Sequence, residues 1–264
     1  MSEREKILRY YKADGEGDLA AHLLDIVENV VKSKKYKVSS FLDQYGFTIA
    51  ETVAAHYKDT ALLSSGGYDG AERLKAAFVH KDFLELSQSI NFSMCVLSAT
   101  WDWRYYQLSH RDVLGALIGQ GIKRELLGDI VVSQGTCQII LDEQIKEYMI
   151  SNLTSIGKAP VTVEEISLEE ILPKEEKVKE VRATVASLRL DSVAAAGFGT
   201  SRSKMADAIA VSRLKVNFKE TVNASQSVKA GDIISMRGRG RLEICEIPGQ
   251  TKKGRYSVIL KRYY

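Results

Sequence analysis

The first part of the chain has the hydrophobic pattern of helices. Apolar residues recur at three- and four-residue spacing within Leu19–Val31, which places them on one face of a helix. A second periodic run covers Phe41–Tyr57 and follows Ser39–Ser40, two plausible N-cap residues. The glycine-rich segment Ser64–Gly70 then predicts a turn. We therefore predict an N-terminal helical domain over residues 1–63.

Strand and helix signals alternate over residues 64–166. Two apolar runs, Arg73–His80 and Asn91–Trp101, predict strands, and a helix capped by Ser109 follows. A hairpin, another helix and a last strand complete this region. From Asn91 the order is β-α-β-β-α-β, which is typical of a ferredoxin-like or RNA-recognition-type plait.

The remaining sequence predicts a linker and a third domain. Residues 167–180 are rich in charge and contain one proline, as expected of a linker. The pattern of residues 181–264 predicts two short helices separated by Gly197–Ser201. Gly197 or Gly199 would end the first helix, and Thr200 or Ser201 would cap the second. Strands follow. The predicted class is α+β, with an N-terminal helical segment, a central plait and a C-terminal αα-β domain.

Charge is distributed very unevenly along the 264 residues, although the net charge is only +3. Residues 181–264 contain 16 Lys and Arg against 6 Asp and Glu, whereas the preceding 180 residues contain 21 against 28. A segment this basic attracts polyanions, among which nucleic acid is the most common. The alternative to nucleic-acid binding is a soluble domain that is basic but binds no polyanion.

Several classes of protein are excluded by composition. No run approaches the roughly 20 apolar residues of a membrane span, and the charged N-terminus lacks the apolar core of a signal peptide. The three cysteines (Cys95, Cys137 and Cys245) are too few and too far apart for a disulfide framework or a CxxC zinc site. The four histidines fall in no ligand spacing. We expect a cytoplasmic protein without metal or cofactor.

Short motifs in the basic segment resemble the RNA-binding domain named after ribosomal protein S-four. They are, in chain order, R-L-D at 189–191, S-R-S at 201–203, K-V-N at 215–217 and V-K-A-G-D at 228–232. The physical interpretation agrees, because Arg202 and Lys204 lie at the start of a helix, where free backbone N–H groups and the helix dipole favour phosphate.

The predicted RNA-binding residues belong to these motifs or are neighbouring polar and basic residues. They are Arg189, Ser201, Arg202, Ser203, Lys204, Arg213, Lys215, Asn217, Lys219, Arg237 and Arg239. Two departures from the domain's pattern concern turns. Many members have glycine near Ser212–Arg213, and Asn-Gly where this chain has Asn217–Phe218.

From about Ser64 onward the chain is similar to the YlmH family. The similarity includes the segment Ser109–Val132, the upstream S-S-G-G-Y-D-G-A-E-R, the downstream S-I-G-K-A-P-V and the C-terminal motifs. Members of this family also have the Asn-Phe pair in place of Asn-Gly. The resemblance implies a bacterial, ribosome-associated quality-control factor. Such a factor binds rRNA of the large subunit with tRNA or peptidyl-tRNA, alongside other quality-control factors, and helps to elongate C-terminal tails on stalled chains. Family members have also been linked to cell division. Nothing in the sequence suggests a coiled coil, and we expect a monomer.

A second RNA- or ribosome-facing patch is an open alternative for Arg111, Lys123 and Arg124, which otherwise are solvated charges near a capped helix. The third predicted strand of the plait lacks aromatic residues, so we favour a scaffold role over base stacking there. The cluster Trp101–Tyr106 is expected to anchor the core and a loop rather than to stack on bases.

The rival function is an RNA-modifying enzyme, such as a pseudouridine synthase or a methyltransferase, that uses the S-four domain for targeting. Pseudouridine synthases need an Arg-Leu-Asp within a large catalytic domain, whereas the only one here, Arg189–Asp191, lies inside the RNA-binding domain. Methyltransferases need a glycine-rich cofactor loop, for which Ser64–Gly70 is a poor candidate. We therefore expect a non-catalytic RNA-binding protein.

Overall fold

A computed structural model describes residues 3–13, 15–86, 89–172 and 178–263. It divides into two compact units, Met1–Lys174 and Glu175–Tyr264. The first unit contains a three-stranded sheet, a four-stranded sheet and a small two-stranded ribbon, and the second contains a six-stranded sheet. Helices and antiparallel strands mix in both units, which confirms the predicted α+β class.

The N-terminal part of the first unit combines helices with a sheet. Its elements are α1 (Glu3–Ala13), α2 (Gly17–Ser33), β1 (Tyr36–Leu42), α3 (Gln44–Ala55), β2 (Thr60–Ser65), β3 (Leu74–His80) and α4 (Lys81–Leu86). The strands pair in the order β1-β3-β2. Fully buried side chains of α2, including Leu23, Leu24 and Val27, pack with Phe78 of β3.

The prediction of a purely helical domain over residues 1–63 is wrong. β1 and β2 lie within it, and both pair with β3, so the predicted boundary at residue 63 cuts one sheet. Ser39–Ser40, predicted as N-caps, lie in β1, where Ser39 Oγ accepts the N–H of Ala76 at 2.9 Å. Asp43 caps α3 instead, because its Oδ1 accepts the N–H of Gly46 at 2.8 Å.

The second part of the first unit is the plait. Its elements are β4 (Met94–Thr100), α5 (His110–Gly119), β5 (Leu127–Ser133), β6 (Thr136–Asp142), α6 (Lys146–Asn152), β7 (Ser155–Ile156), β8 (Ala159–Pro160) and β9 (Thr162–Ile166). Its main sheet has the order β5-β6-β4-β9, and β7 pairs with β8 as a separate ribbon. The predicted β-α-β-β-α-β order is therefore observed, and Ser109 forms a capping box with Asp112 at the start of α5.

Lys75, which is buried, and Arg73, which is half-buried, join the three-stranded sheet to the plait. Lys75, which is 2% exposed, donates from Nζ to Asp142 Oδ2 at 2.6 Å and to the carbonyls of Phe92 (3.0 Å) and Ser93 (2.9 Å). Arg73 donates from Nε to the carbonyl of Leu127 at 2.8 Å, and burial lowers the pKa of its guanidinium to about 10. β3 and the residue before it are thus hydrogen-bonded to the plait through these two side chains.

The second unit packs two helices on one face of its sheet. Its elements are β10 (Val178–Val185), α7 (Leu190–Phe198), α8 (Arg202–Ala210), β11 (Leu214–Val216), β12 (Lys219–Glu220), β13 (Ile233–Met236), β14 (Gly240–Gln250) and β15 (Tyr256–Tyr263). The strand order is β10-β15-β14-β13-β11-β12. α7 approaches the sheet closely at Gly197, where an added Cβ would lie 2.4 Å from Leu242 Cδ1. Gly199, in the left-handed region, ends α7, and Ser201 caps α8.

The predicted linker is shorter than residues 167–180. It contains a 3-10 turn at Leu168–Glu170, and β10 begins at Val178, before the predicted domain start at residue 181. Residues 173–177 of the linker lie outside the described residues. No helix in the described parts of the chain is both long and apolar enough to cross a membrane. All three cysteines are free thiols.

We expect Lys75→Met to lower the free energy of unfolding by about 3–5 kcal/mol, because it leaves the Asp142 carboxylate without its cation in a buried environment. The midpoint of urea-induced unfolding measures the change. The matched control is Lys34→Met, since Lys34 forms an exposed ion pair with Asp82 at 3.1 Å and such pairs contribute at most about 1 kcal/mol. Equal losses for the two variants would contradict this role of Lys75.

Candidate nucleic-acid interface

One buried carboxylate joins the starts of α7 and α8. Asp191, whose side chain is 6% exposed, accepts hydrogen bonds from Arg189 Nη2 at 3.2 Å and Arg202 Nε at 3.0 Å. Burial disfavours the ionised carboxylate, but the hydrogen bonds and charges of both arginines outweigh this effect and hold the pKa of Asp191 below its usual value. The ion pairs are therefore lost only when the pH falls through that lowered pKa.

The two arginines remain accessible although they are paired. The side chain of Arg189 is 42% exposed and that of Arg202 is 51% exposed. Because one carboxylate balances only one of the two guanidinium charges, the group keeps one positive charge in excess. Asp191 therefore fixes the position of both predicted RNA-binding arginines without cancelling their combined charge.

The first turn of α8 carries the other predicted residues of this region. Ser201 Oγ accepts the N–H of Lys204 at 3.3 Å and lies 3.2 Å from Ser203 Oγ. Ser201, Ser203 and Lys204 are all exposed. The first turn contains no acidic residue, so the positive end of the helix dipole is left uncompensated there. This turn has the backbone and side-chain groups that bind anions.

The remaining predicted cations lie on the adjacent strands and turns. The carbonyl of Arg213 accepts the N–H of Arg237 at 3.0 Å, which puts these two exposed residues side by side. Lys215 lies on β11 opposite Glu220 of β12. Arg239 Nη1 donates to the carbonyl of Phe198 at 3.4 Å, at the end of α7.

Backbone hydrogen bonds connect the start of α7 to the loop that follows β12. The N–H of Leu190 donates to the carbonyl of Gln226 at 2.8 Å, and that of Asp191 donates to the carbonyl of Ala224 at 3.1 Å. This loop begins directly after Lys219 and Glu220. The contacts thus link the start of α7 to the loop that follows the β11–β12 hairpin, and both segments lie next to predicted cations.

Asn217 differs from the prediction. Its Nδ2 donates to Asp232 Oδ1 at 2.9 Å, and its Oδ1 accepts the N–H of Ile233 at 2.9 Å. Both ends of the side-chain amide are therefore engaged inside the domain. We assign Asn217 to the scaffold that holds the β11–β12 hairpin on β13, and not to the groups that face RNA.

The structure separates Arg111 from the other two residues of the possible second patch. Arg111 is in the first turn of α5, whereas Lys123 and Arg124 follow the other end of this helix, about 12 Å along its axis. Arg124 is half-buried, and its Nη1 donates to the carbonyls of Leu127 (3.1 Å) and Gly128 (3.2 Å). Burial lowers the pKa of its guanidinium. Arg124 is a structural residue, and sequence spacing alone could not show this.

The open face of the plait sheet, which binds RNA in RNA-recognition modules, is covered by other parts of the chain. Phe41 and Ile171 form a buried cluster there with Val96 and Ile140 of the sheet. Gln138 donates from Nε2 to the carbonyl of Glu170 at 2.8 Å and accepts the N–H of Leu172 at 2.7 Å. Base stacking on this face, which the lack of aromatic residues already disfavoured, is sterically blocked.

The aromatic cluster before α5 splits into two kinds of residue. Trp101 is 8% exposed and donates from Nε1 to the carbonyl of Tyr106 at 3.0 Å, so it anchors the loop as expected. Trp103 and Tyr105 are 52% and 77% exposed. Among the described residues, no group of three or more potential ligands could hold a metal ion.

Sequence reasoning missed the role of Asp191 and the contact of Arg241. Asp191 is part of the R-L-D motif, but only burial and distances show that it holds two arginines. The guanidinium carbon of Arg241 lies 4.5 Å from the ring centre of Tyr263, whose hydroxyl donates to Glu243 Oε2 at 2.7 Å. No signal in the sequence indicates this arrangement, because Arg241 and Tyr263 meet only through the β14–β15 pairing.

Two family models match the chain. The family described as "Putative RNA-binding domain in YlmH" matches residues 87–170, which include the plait. The family described as "Mitochondrial transcription rescue factor 1, C-terminal domain" matches residues 179–238, from β10 to the turn after β13. The two matches fall in different units of the structure.

Two similar proteins cover larger parts of the chain. "Ribosome-associated protein quality control protein P2" of Bacillus subtilis (strain 168) is 34% identical over 233 residues, which are 88% of this chain and 90% of the relative. The solved structure "Cell division protein ylmH from Streptococcus pneumoniae" matches with a TM-score of 0.51 and 23% identity, over 60% of this chain and 95% of that one, and shows a shared fold. On the identity and extent of the first match, together with the family model for residues 87–170, this chain belongs to the YlmH family.

Proposed function

We propose that this protein is a non-catalytic RNA-binding factor of ribosome-associated quality control. It binds rRNA of the large ribosomal subunit and tRNA or peptidyl-tRNA held there. The observation that carries this proposal is the group of cations at the starts of α7 and α8 and along β11–β13, two of which Asp191 fixes in place. The name of the B. subtilis relative supports the cellular role.

Electrostatic attraction to the RNA backbone is the proposed basis of binding. Each phosphate that a lysine or arginine neutralises releases condensed counterions, so affinity depends on salt. The arginines held by Asp191 keep planar donor groups that suit phosphate oxygens. Since their positions are fixed before binding, less side-chain entropy is lost on association.

The plait serves as a scaffold in this proposal. Residues 87–170 contain 6 Lys and Arg against 11 Asp and Glu, so this region repels phosphate on balance. Although its family is described as RNA-binding, we assign the phosphate contacts to the second unit, where the basic residues are concentrated. The plait and the N-terminal sheet are available for contacts with other quality-control factors.

The proposed cellular task is to help elongate C-terminal tails on stalled nascent chains in the cytoplasm, with the protein acting as a monomer. No observation favours the RNA-modifying enzyme. Asp191, the candidate for a catalytic aspartate by its R-L-D context, is buried and bound to two arginines of its own domain. Its carboxylate therefore has a positioning role.

Binding to purified large ribosomal subunits tests the electrostatic mechanism. If four to six phosphates are neutralised, the logarithm of the binding constant falls with the logarithm of salt concentration at a slope of about −3 to −5. Combined replacement Arg202→Ala and Lys204→Ala removes two cations, and we expect it to weaken binding about tenfold or more at 0.1 M salt and to reduce the slope by about 1 to 2.

The matched control for that double variant is Lys252→Ala with Lys253→Ala. These lysines lie in the turn after β14, at the other end of this strand from Gly240 and so about 30 Å from the turn after β13. The same two charges are removed, but binding should change little. Equal weakening by both double variants would show that net charge, and not this surface, determines affinity. An affinity that does not depend on salt would contradict the mechanism itself.

Asp191→Asn separates positioning from charge. This change adds one positive charge to the surface, so attraction by charge alone predicts tighter binding. If Asp191 positions Arg189 and Arg202, we expect about fivefold to tenfold weaker binding at an unchanged salt slope, since the number of cations that meet phosphate is the same. Filter binding to large subunits measures affinity, and circular dichroism verifies that the variant is folded. Tighter binding would refute the positioning role.

A further inference from the structure

The β11–β12 hairpin has a two-residue turn with an unusual residue in it. Val216 pairs with Lys219, so Asn217 and Phe218 are the central turn residues. Both have positive φ angles, 48° and 68°, as a type I′ turn requires. Asparagine adopts this region readily, whereas a bulky side chain such as phenylalanine rarely does.

Glycine at position 218 would form this turn without the steric conflict that a Cβ creates at positive φ. The backbone therefore gives no reason for phenylalanine. A strained residue persists where the surrounding structure holds it, and such residues cluster at functional sites. The side chain of Phe218 must then account for its presence.

Phe218 lies outside the hydrophobic core of its unit. Its side chain is half-buried, and it belongs to none of the hydrophobic clusters formed by the described residues. Phe198 provides the comparison within the same unit, because it is 2% exposed and lies in the main core cluster. In the parts of the chain that the structure describes, neither an aromatic ring nor a cation is seen against the ring of Phe218.

The turn that presents Phe218 is held by hydrogen bonds, and its hairpin carries two lysines. Asn217 donates its N–H to the carbonyl of Ile233 at 2.8 Å, and its side chain forms the two further hydrogen bonds to β13 described above. Lys219 follows directly, and Lys215 lies on the same hairpin. An aromatic ring next to groups that attract phosphate is the arrangement by which proteins bind unpaired nucleotides.

We propose that Phe218 is a stacking platform for an unpaired nucleobase of the bound RNA. This inference rests on the proposed function and deepens it, because it adds a base contact to a surface that otherwise contacts phosphate. Stacking on an aromatic ring tolerates any base, since each base has a π-face. Phe218 therefore selects unpaired over fully paired RNA, and not a particular sequence.

The test compares Phe218→Gly with Ser212→Gly in the full chain. Ser212 is exposed and has a φ of 54°, so its replacement relieves the same kind of strain without removing a ring. The probes are purified large ribosomal subunits and protein-free rRNA extracted from them. We expect Phe218→Gly to weaken binding to both by about fivefold to a hundredfold, with an unchanged salt slope because no charge is lost.

Stability gives the second readout. The melting temperature of Phe218→Gly should not fall below that of the unchanged protein, since glycine suits the turn, and Ser212→Gly should bind both probes normally. A lower melting temperature together with unchanged affinity would show that the ring only supports the fold, and would overturn the proposal.

Two further variants identify what the ring contacts. Phe218→Trp keeps a flat aromatic surface and should retain binding, whereas Phe218→Leu keeps only apolar character and should bind weakly. Full binding by Phe218→Leu would indicate an apolar contact with a ribosomal protein and would overturn the base-stacking assignment.

If the unchanged protein binds subunits in a salt-dependent way while Phe218→Gly binds equally well, only this inference fails. If the unchanged protein binds neither probe, the proposed function fails with it.

Discussion

The arrangement of the candidate interface depends on a carboxylate that is shielded from water and shared by two arginines. Asp191 lies at the start of α7, and its oxygens hold Arg189 of the same helix start and Arg202 of α8. Isolated surface arginines sample many rotamers, and ordering them on binding costs entropy. Here the ordering is completed during folding. The same carboxylate also relates the two helix starts to each other, so fold and interface share one interaction.

Positive charge has different roles in the two units. In the first unit, Lys75 is buried and Arg73 is half-buried, and carbonyl groups and Asp142 accept their hydrogen bonds. Their hydrogen-bonding groups are engaged inside the unit, where they stabilise the junction of two sheets. In the second unit, Arg202 and Lys204 keep exposed side chains at a helix start. Residue type therefore does not distinguish a structural cation from a binding cation, but burial and the number of internal partners do.

The parts of the fold that have local sequence signals could be predicted, whereas burial and contacts between elements could not. The plait and the two short helices of the second unit follow from local signals, such as the Ser109 capping box and the glycine at the end of α7. β1 was missed because its end, Phe41–Leu42, continues the apolar spacing of α3, and only pairing with β3 shows that it is a strand. Arg124 stayed open as a binding residue because sequence spacing does not show that its guanidinium donates to the carbonyls of Leu127 and Gly128. The pairing of β1 with β3 joins residues far apart in the chain and likewise leaves no periodic signal.

The two departures from the S-four pattern show how sequence and structure can be combined. Ser212 and Phe218 stand at or next to positions where many members have glycine, and both adopt positive φ angles. The turn shapes are therefore those that glycine would form, and only the side chains differ. A small serine at such a position is a modest conflict, whereas phenylalanine is a severe one. The larger steric cost falls on the β11–β12 hairpin, which carries two of the predicted cations. At this place an aromatic side chain can gain binding energy by stacking on a base. Contacts of the backbone alone would not supply that energy.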